Sequence, residues 1–180
     1  STSDTIYALA SGWVGGRTVS SVSGKSGALL RDALTDLLRE LAESLIRDAE
    51  GLGRLIRVGV TGAKSVRDAD RIGRAVVNSP LVKCAIAGGD PNWGRLVMAV
   101  GNSGAAVRSD TLFMRIAGQE VYARGQPVVV EGDALHELEA KMHADEVRVD
   151  IAVGLGQSSA DWVGCDLTAE YLRLNTEYTT

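Results

Sequence analysis

Between residues 28 and 49 the chain reads ALLRDALTDLLRELAESLIRDA, and its leucines fall three and four positions apart. Leu30, Leu34, Leu37, Leu41 and Leu45 form one row, Leu38, Ala42, Ile46 and Ala49 run beside it, and charged residues fill the other positions. Residues at i, i+3, i+4 and i+7 share one side of a helix, so the spacing predicts a long amphipathic helix, stopped by Gly51 and Gly53. RLIRVGVTG (54–62) alternates and predicts a strand. KSVRDADRIGRAVVNS (64–79) predicts a second amphipathic helix, with Val66, Ala69, Ile72, Gly73, Val76 and Val77 inward and Pro80 as its end. LVKCAIAG (81–88) reads as a short buried strand, and RLVMAVGNSG (95–104) as a short helix closed by glycines.

From about residue 107 the pattern changes. TLFMRIAGQEVYARGQPVVV (111–130) reads as a strand pair turning at Gly118. GDALHELEAKMHAD (132–145) reads as a helix with Ala134, Leu135, Leu138 and Met142 inward. EVRVDIAVGLG (146–156) alternates strictly, placing Val147, Val149, Ile151 and Val153 on one side. SADWVGCDLT (159–168) is expected to pair with it through a turn at 156–158, and AEYLRLNTEY forms a terminal helix. Residues 1–12 look like a capped helix or strand, and 13–27 like a loop. The order predicts an α+β fold, with a main α/β layer portion over 1–106 and a smaller α+β subdomain over 107–180.

Composition narrows the function. Of 180 residues, 45% are hydrophobic but only 4% aromatic, so the core is aliphatic. A net charge of −4 disfavours nucleic acid as a partner. No run of 18 apolar residues exists to span a membrane, and no charged segment precedes an apolar stretch as in a secretory signal. A cytoplasmic setting follows, with Cys84 and Cys165 as buried free thiols in strands. No Cys/His spacing suits zinc, so no metal is expected. The chain starts STSDT without a methionine, as if cut from something larger or processed.

Glu50 draws attention because it lies four residues after Ile46 and continues an apolar helical row, where a carboxylate is costly unless paired. The bland alternative is a last-turn side chain in water. GGDPNWGR (88–95) holds three glycines, a proline and a tryptophan between two apolar runs. Read as a strand-to-helix corner, it either converges backbone N–H groups on an anionic ligand or forms a rigid turn plugged by Trp93; it lacks the Gly-Lys-Ser/Thr ending of a P-loop. Ser1 has the chemistry of an N-terminal nucleophile, although Ser and Thr next to Asp also suit a cap. His136 and His143 read as solvated histidines, and nothing in the residues themselves singles out the terminal NTEYTT.

STSDT, RDAEG at the helix end, GDPNWGR, GCDLT and the closing YLRLNTEYTT occur in the order found in ornithine acetyltransferases, the bifunctional glutamate N-acetyltransferases of arginine synthesis. The chain resembles the C-terminal, β-chain portion of that family along nearly its whole length. The resemblance implies N-terminal-nucleophile-like α/β layers and a precursor that cuts itself before a threonine. That threonine would lie upstream of Ser1, so no catalytic nucleophile is expected in this chain. The threonine would take an acetyl group from N-acetylornithine and pass it to glutamate. The resemblance also implies an α chain from the same precursor as partner, in a hetero-oligomer, and no bound cofactor, with acetyl-CoA left open as an acetyl donor. Carried residue by residue, it assigns substrate binding to Glu50, Asn175 and Thr180. Asp90, Asn92, Trp93 and Arg95 of GDPNWGR would form a site wall. Ser3, Gly89 and the LGR after Gly51 depart from the usual pattern. A paralogous acyltransferase or amidohydrolase of a secondary-metabolite pathway, and a non-catalytic amino-acid-binding fragment, therefore stay open as alternatives.

Overall fold

A computed structural model of the chain describes residues 5–16 and 18–177. The chain forms two compact units, Ser1–Leu41 and Ala42–Thr180. In the first, the described residues before 25 form no helix or strand, so the capped element expected over 1–12 is not found at 5–12. Helix α1 (Lys25–Arg47) then begins and continues into the second unit. Gly27 is the one buried residue among those described in the first unit; a Cβ there would run into the Ser21 and Val22 backbone. The leucines fall on the helix as the spacing predicts, and Leu30, Leu34, Leu37, Leu38 and Leu41 are 43–50% exposed.

The second unit holds β1 (Leu55–Ala63), α2 (Val66–Val77), α3 (Pro80–Ala87), α4 (Trp93–Gly101), β2 (Phe113–Ile116), β3 (Gln119–Ala123), β4 (Gln126–Pro127), α5 (Asp133–Met142), β5 (Glu146–Ala152), β6 (Ser158–Cys165) and α6 (Ala169–Glu177). The six strands form one mixed sheet in the order β4-β3-β2-β5-β1-β6. β1 lies parallel to β5 and antiparallel to β6. The expected β5–β6 hairpin is therefore corrected: the two strands flank β1, and β5 takes β2 as its other neighbour. The sheet also joins the two sides of residue 106, since β1 comes from before it and its partners from after it.

Alternation explains the core. Ile56, Val58 and Val60 of β1, Val147, Val149 and Ile151 of β5, and Met114 and Ile116 of β2 are buried on one side of the sheet in matched register. Each such side chain contributes about 1.5–3 kcal/mol relative to exposure. Ile72 and Val76 of α2, Leu96 of α4, and Leu138 and Met142 of α5 complete the cluster. Val66, expected inward on α2, is 67% exposed because it occupies the helix's first turn. The opposite side of the sheet carries Arg57, Thr61, Arg115, Arg148 and Asp150, and a cleft of about 320 Å³ lies over Gly59, Thr61, Phe113 and Asp150.

The stretch read as a strand at 81–88 is helix α3. Ser79 caps it, its hydroxyl oxygen accepting the Val82 N–H at 3.4 Å, and Pro80 occupies the first turn, where its missing N–H costs nothing. Cys84 consequently lies on a helix and is exposed, while Cys165 is partly buried at the end of β6; both are free. The turn between β2 and β3 has positive φ at both Ala117 (48°) and Gly118 (84°), the twist that a two-residue hairpin requires.

Candidate functional site

α1 stops at Arg47, and the chain then tightens: Ala49 N–H bonds Ile46 O and Leu52 N–H bonds Ala49 O, at 3.2 and 3.1 Å. Glu50 thus sits in a turn three residues past the helix, and its side chain is exposed. The expected carboxylate on an inward-facing row is corrected, because the row ends where the i→i−4 bonding ends. Gly51 follows with φ +65°, and a Cβ there would strike the Tyr171 backbone, so glycine is needed on both counts.

The chain returns to this turn more than a hundred residues later. Beyond β6, Asp166 is 5% exposed, and its Oδ1 accepts the Gly53 N–H at 3.0 Å. The Thr168 hydroxyl donates to Gly51 O at 2.6 Å and accepts the Tyr171 N–H at 3.1 Å, capping α6. On α6, Asn175 Nδ2 donates to Tyr171 O at 2.9 Å and to Glu50 Oε2 at 3.3 Å. Two residues separated by 125 positions therefore meet. Both Asn175 bonds use nitrogen, and among the described residues its carbonyl oxygen has no donor and Glu50 enters no ion pair. Arg173 nearby on α6 is occupied by Glu170 and Glu177, at 2.6 and 3.0 Å, and holds the Glu170 carboxyl below its ordinary range. A carboxylate and a carbonyl oxygen side by side are both acceptors, to which an ammonium group can donate. Thr180, the third expected contact, lies outside the described residues, as does Ser1.

The GDPNWGR loop joins two helices, α3 and α4, and not a strand to a helix. Its polar atoms serve the loop. Asn92 Oδ1 accepts the Arg95 N–H at 3.0 Å, Asn92 Nδ2 donates to Asp90 Oδ2 at 3.0 Å, and Arg95 Nη1 donates to Leu81 O at 3.0 Å. Trp93 stacks on Tyr122, with ring centroids 5.8 Å apart. Gly89 has φ +69°, and a Cβ there would lie 2.8 Å from His143 Cε1. Arg54 closes the corner, donating to Ala87 O at 2.9 Å and to His143 Nδ1 at 2.9 Å. His143 accepts there, because a guanidinium only donates. No hydrogen bond among the described residues links Asp90, Asn92, Trp93 or Arg95 to Glu50 or Asn175.

Sequence spacing does not single out Asp166 and Thr168, although a Thr directly before AEYL, with an Asp two residues earlier, carries the signal of a helix start. No helix of the described residues is long and apolar enough to cross a membrane.

The protein is similar to others of known assignment. A family model described as the ArgJ family matches residues 1–180. The arginine biosynthesis bifunctional protein ArgJ of Zymomonas mobilis is 40% identical over 178 residues, 99% of this chain and 43% of that protein. The glutamate N-acetyltransferase of Methanocaldococcus jannaschii is 40% identical over 186 residues, 100% of this chain and 45% of that protein. The chain thus spans less than half the length of these curated relatives. The crystal structure of the arginine biosynthesis bifunctional protein ArgJ from Bacillus halodurans superposes with a TM-score of 0.87 at 34% identity, covering 99% of this chain and 82% of that one. From the family match along all of its residues and relatives at this identity, the chain belongs to the ArgJ family.

Proposed function

We propose that this chain is the β-chain portion of an acetyltransferase that moves an acetyl group from N-acetylornithine to glutamate. The observation that carries the reading is the meeting of Glu50 and Asn175 at 3.3 Å. Each amino acid carries one free amine that is cationic before reaction, the side-chain ammonium of N-acetylornithine and the α-ammonium of glutamate; an exposed carboxylate attracts such a group, while the amide orients it. The reaction runs in two steps. A threonine hydroxyl outside this chain attacks the acetyl carbonyl, the C–N bond breaks, and ornithine leaves with the proton. The deprotonated amine of glutamate then attacks the resulting ester, and the threonine oxygen regains its proton. Hydrogen-bond donors outside this chain would steady the oxyanion, and no cofactor enters the scheme.

The exposed leucines of α1 support a partner chain. A row 43–50% exposed from Leu30 to Leu41 is unfavourable in water, and the relatives carry more than half their length outside the part matched here. That remaining length, as an α chain of the same precursor, is the proposed cover.

The test is the full-length precursor, matured and supplied with N-acetylornithine and glutamate. Glutamate-dependent release of ornithine, with an acetylated N-terminal threonine in the intact mass spectrum, is expected. Acetyl loss to water at the same rate with and without glutamate would overturn the transfer reading in favour of an amidohydrolase.

A further inference from the structure

The Asp166 carboxylate is hard to explain as mere packing. It is 95% buried by the 5% that remains exposed, Oδ1 takes the Gly53 N–H, and Oδ2 has no partner among the described residues. Leaving a buried carboxylate oxygen unsatisfied is costly. The tie to Gly53 runs through Oδ1 alone, an acceptor that asparagine also has. The carboxylate precedes Ala169, the first residue of α6, by three positions, where the positive end of the helix dipole favours it. Gly53 leaves it room, since a Cβ at that position would come within 2.5 Å of Oδ2.

The bonds of this segment are also distributed in a telling way. Asp166 holds Gly53, Thr168 holds Gly51 by its carbonyl, and Asp166 N–H bonds Arg54 O at 3.0 Å. Glu50 is the residue just before this fastened stretch. Thr168 also starts α6, the helix that carries Asn175. Residues 166–168 are therefore a common mount for the turn bearing Glu50 and for the helix bearing Asn175.

We propose that Asp166 is a positioning residue: through Gly53, and together with Thr168, it sets the separation of Glu50 and Asn175 and so tunes amino-acid binding. It touches no substrate itself. The proposal rests on the substrate-binding reading of Glu50, and a group held by a supporting hydrogen bond loses precision when that bond is removed.

The experiment uses the matured full-length protein carrying Asp166→Ala, Asp166→Asn, Glu50→Gln, or Asp166→Ala with Glu50→Gln, with Thr168→Val as a second handle should Asp166→Ala not fold. Two quantities are read: the KM and kcat of acetyl transfer from N-acetylornithine to glutamate, and hydrogen exchange at the Gly53 amide. Asp166→Ala is expected to raise KM about tenfold with kcat within about threefold, and Asp166→Asn to stay near wild type. Asp166→Ala should add little to Glu50→Gln, because both act through one group. Exchange at Gly53 should quicken in Asp166→Ala and stay slow in Asp166→Asn. Unchanged Gly53 exchange in Asp166→Ala, or fully additive KM effects, would overturn the positioning role. If Glu50→Gln leaves KM at the wild-type value while Gly53 exchange still quickens, the turn is held as described and the Glu50 reading is what fails.

Discussion

On the proposed reading, an incoming ammonium group meets an exposed carboxylate at the mouth of the site. Glu50 fits that description, with Asn175 beside it and no cation neutralising it among the described residues. Replacing Glu50 by Gln removes the charge and keeps the shape. A hydrogen bond to a charged group contributes about 1.5–3 kcal/mol, so KM for the amino acid held there should rise roughly ten- to a hundredfold. The thermal midpoint should not move, because the side chain is outside the core. Steady-state kinetics and a melt of the full-length variant check both halves; a lowered midpoint with unchanged KM would make Glu50 structural. The exposure of Glu50 could not be read from spacing. Its position four residues after Ile46 counted as helix, and only the positive φ of Gly51, with Tyr171 packed against it, explains why the chain had already turned.

Elements are tied together by ion pairs on the side of the sheet away from the helical core. Arg57 on β1 forks onto Glu146 of β5, at 2.8 and 3.0 Å, and reaches Glu43 in the last part of α1 at 3.2 Å. Arg57 lowers the Glu146 pKa; Arg47 first and then Arg57 lower that of Glu43. Carboxyls depressed in the folded state stabilise it above their unfolded pKa, near 4.3, and that stabilisation fades as pH falls through the lowered folded values. Arg57→Met should therefore flatten the acid side of a plot of thermal midpoint against pH and leave the slope above pH 6 unchanged. The effect should be small, because these groups remain partly exposed. A variant with the wild-type acid limb would deny the cluster that role. At this scale much was legible: α1, β1, α2 and β5 follow their apolar periods closely. The misread element was α3, whose eight residues are too short and too uniformly apolar to separate helix from strand by period. The deciding signal was the Ser79–Pro80 pair, which opens a helix as readily as Pro80 closes the one before. The partner of β6 was missed because adjacency in sequence suggests a hairpin, whereas β1, with Val58 opposite Trp162, takes it instead.

At the scale of the whole molecule, exposed apolar side chains support the proposed partner chain. The first unit buries one described residue, Gly27, while Ile6, Leu9, Trp13 and Val14 are 71–96% exposed and the α1 leucines lie open. The leucine period was visible in the sequence, but a period reports a wet side and a dry side without saying what lies against the dry one. If the proposed α chain covers this row, Leu34→Glu with Leu38→Glu in the full-length precursor should abolish recovery of the two chains as one particle in size exclusion, with the fold of the second unit retained by circular dichroism. Co-elution at the wild-type position would mean that another surface joins them.

The strand order carries a cost during synthesis. Among the described strands β1 comes earliest in the chain, yet both of its neighbours, β5 and β6, are the two latest. LIRVGVTGA can take these two neighbours only once the residues from 146 onward have been made. Contacts of such long sequence separation form slowly, and unpaired strands are where nascent proteins stick to one another. Expression of this polypeptide should accordingly depend on chaperones that shield extended apolar segments, and more so when translation is fast.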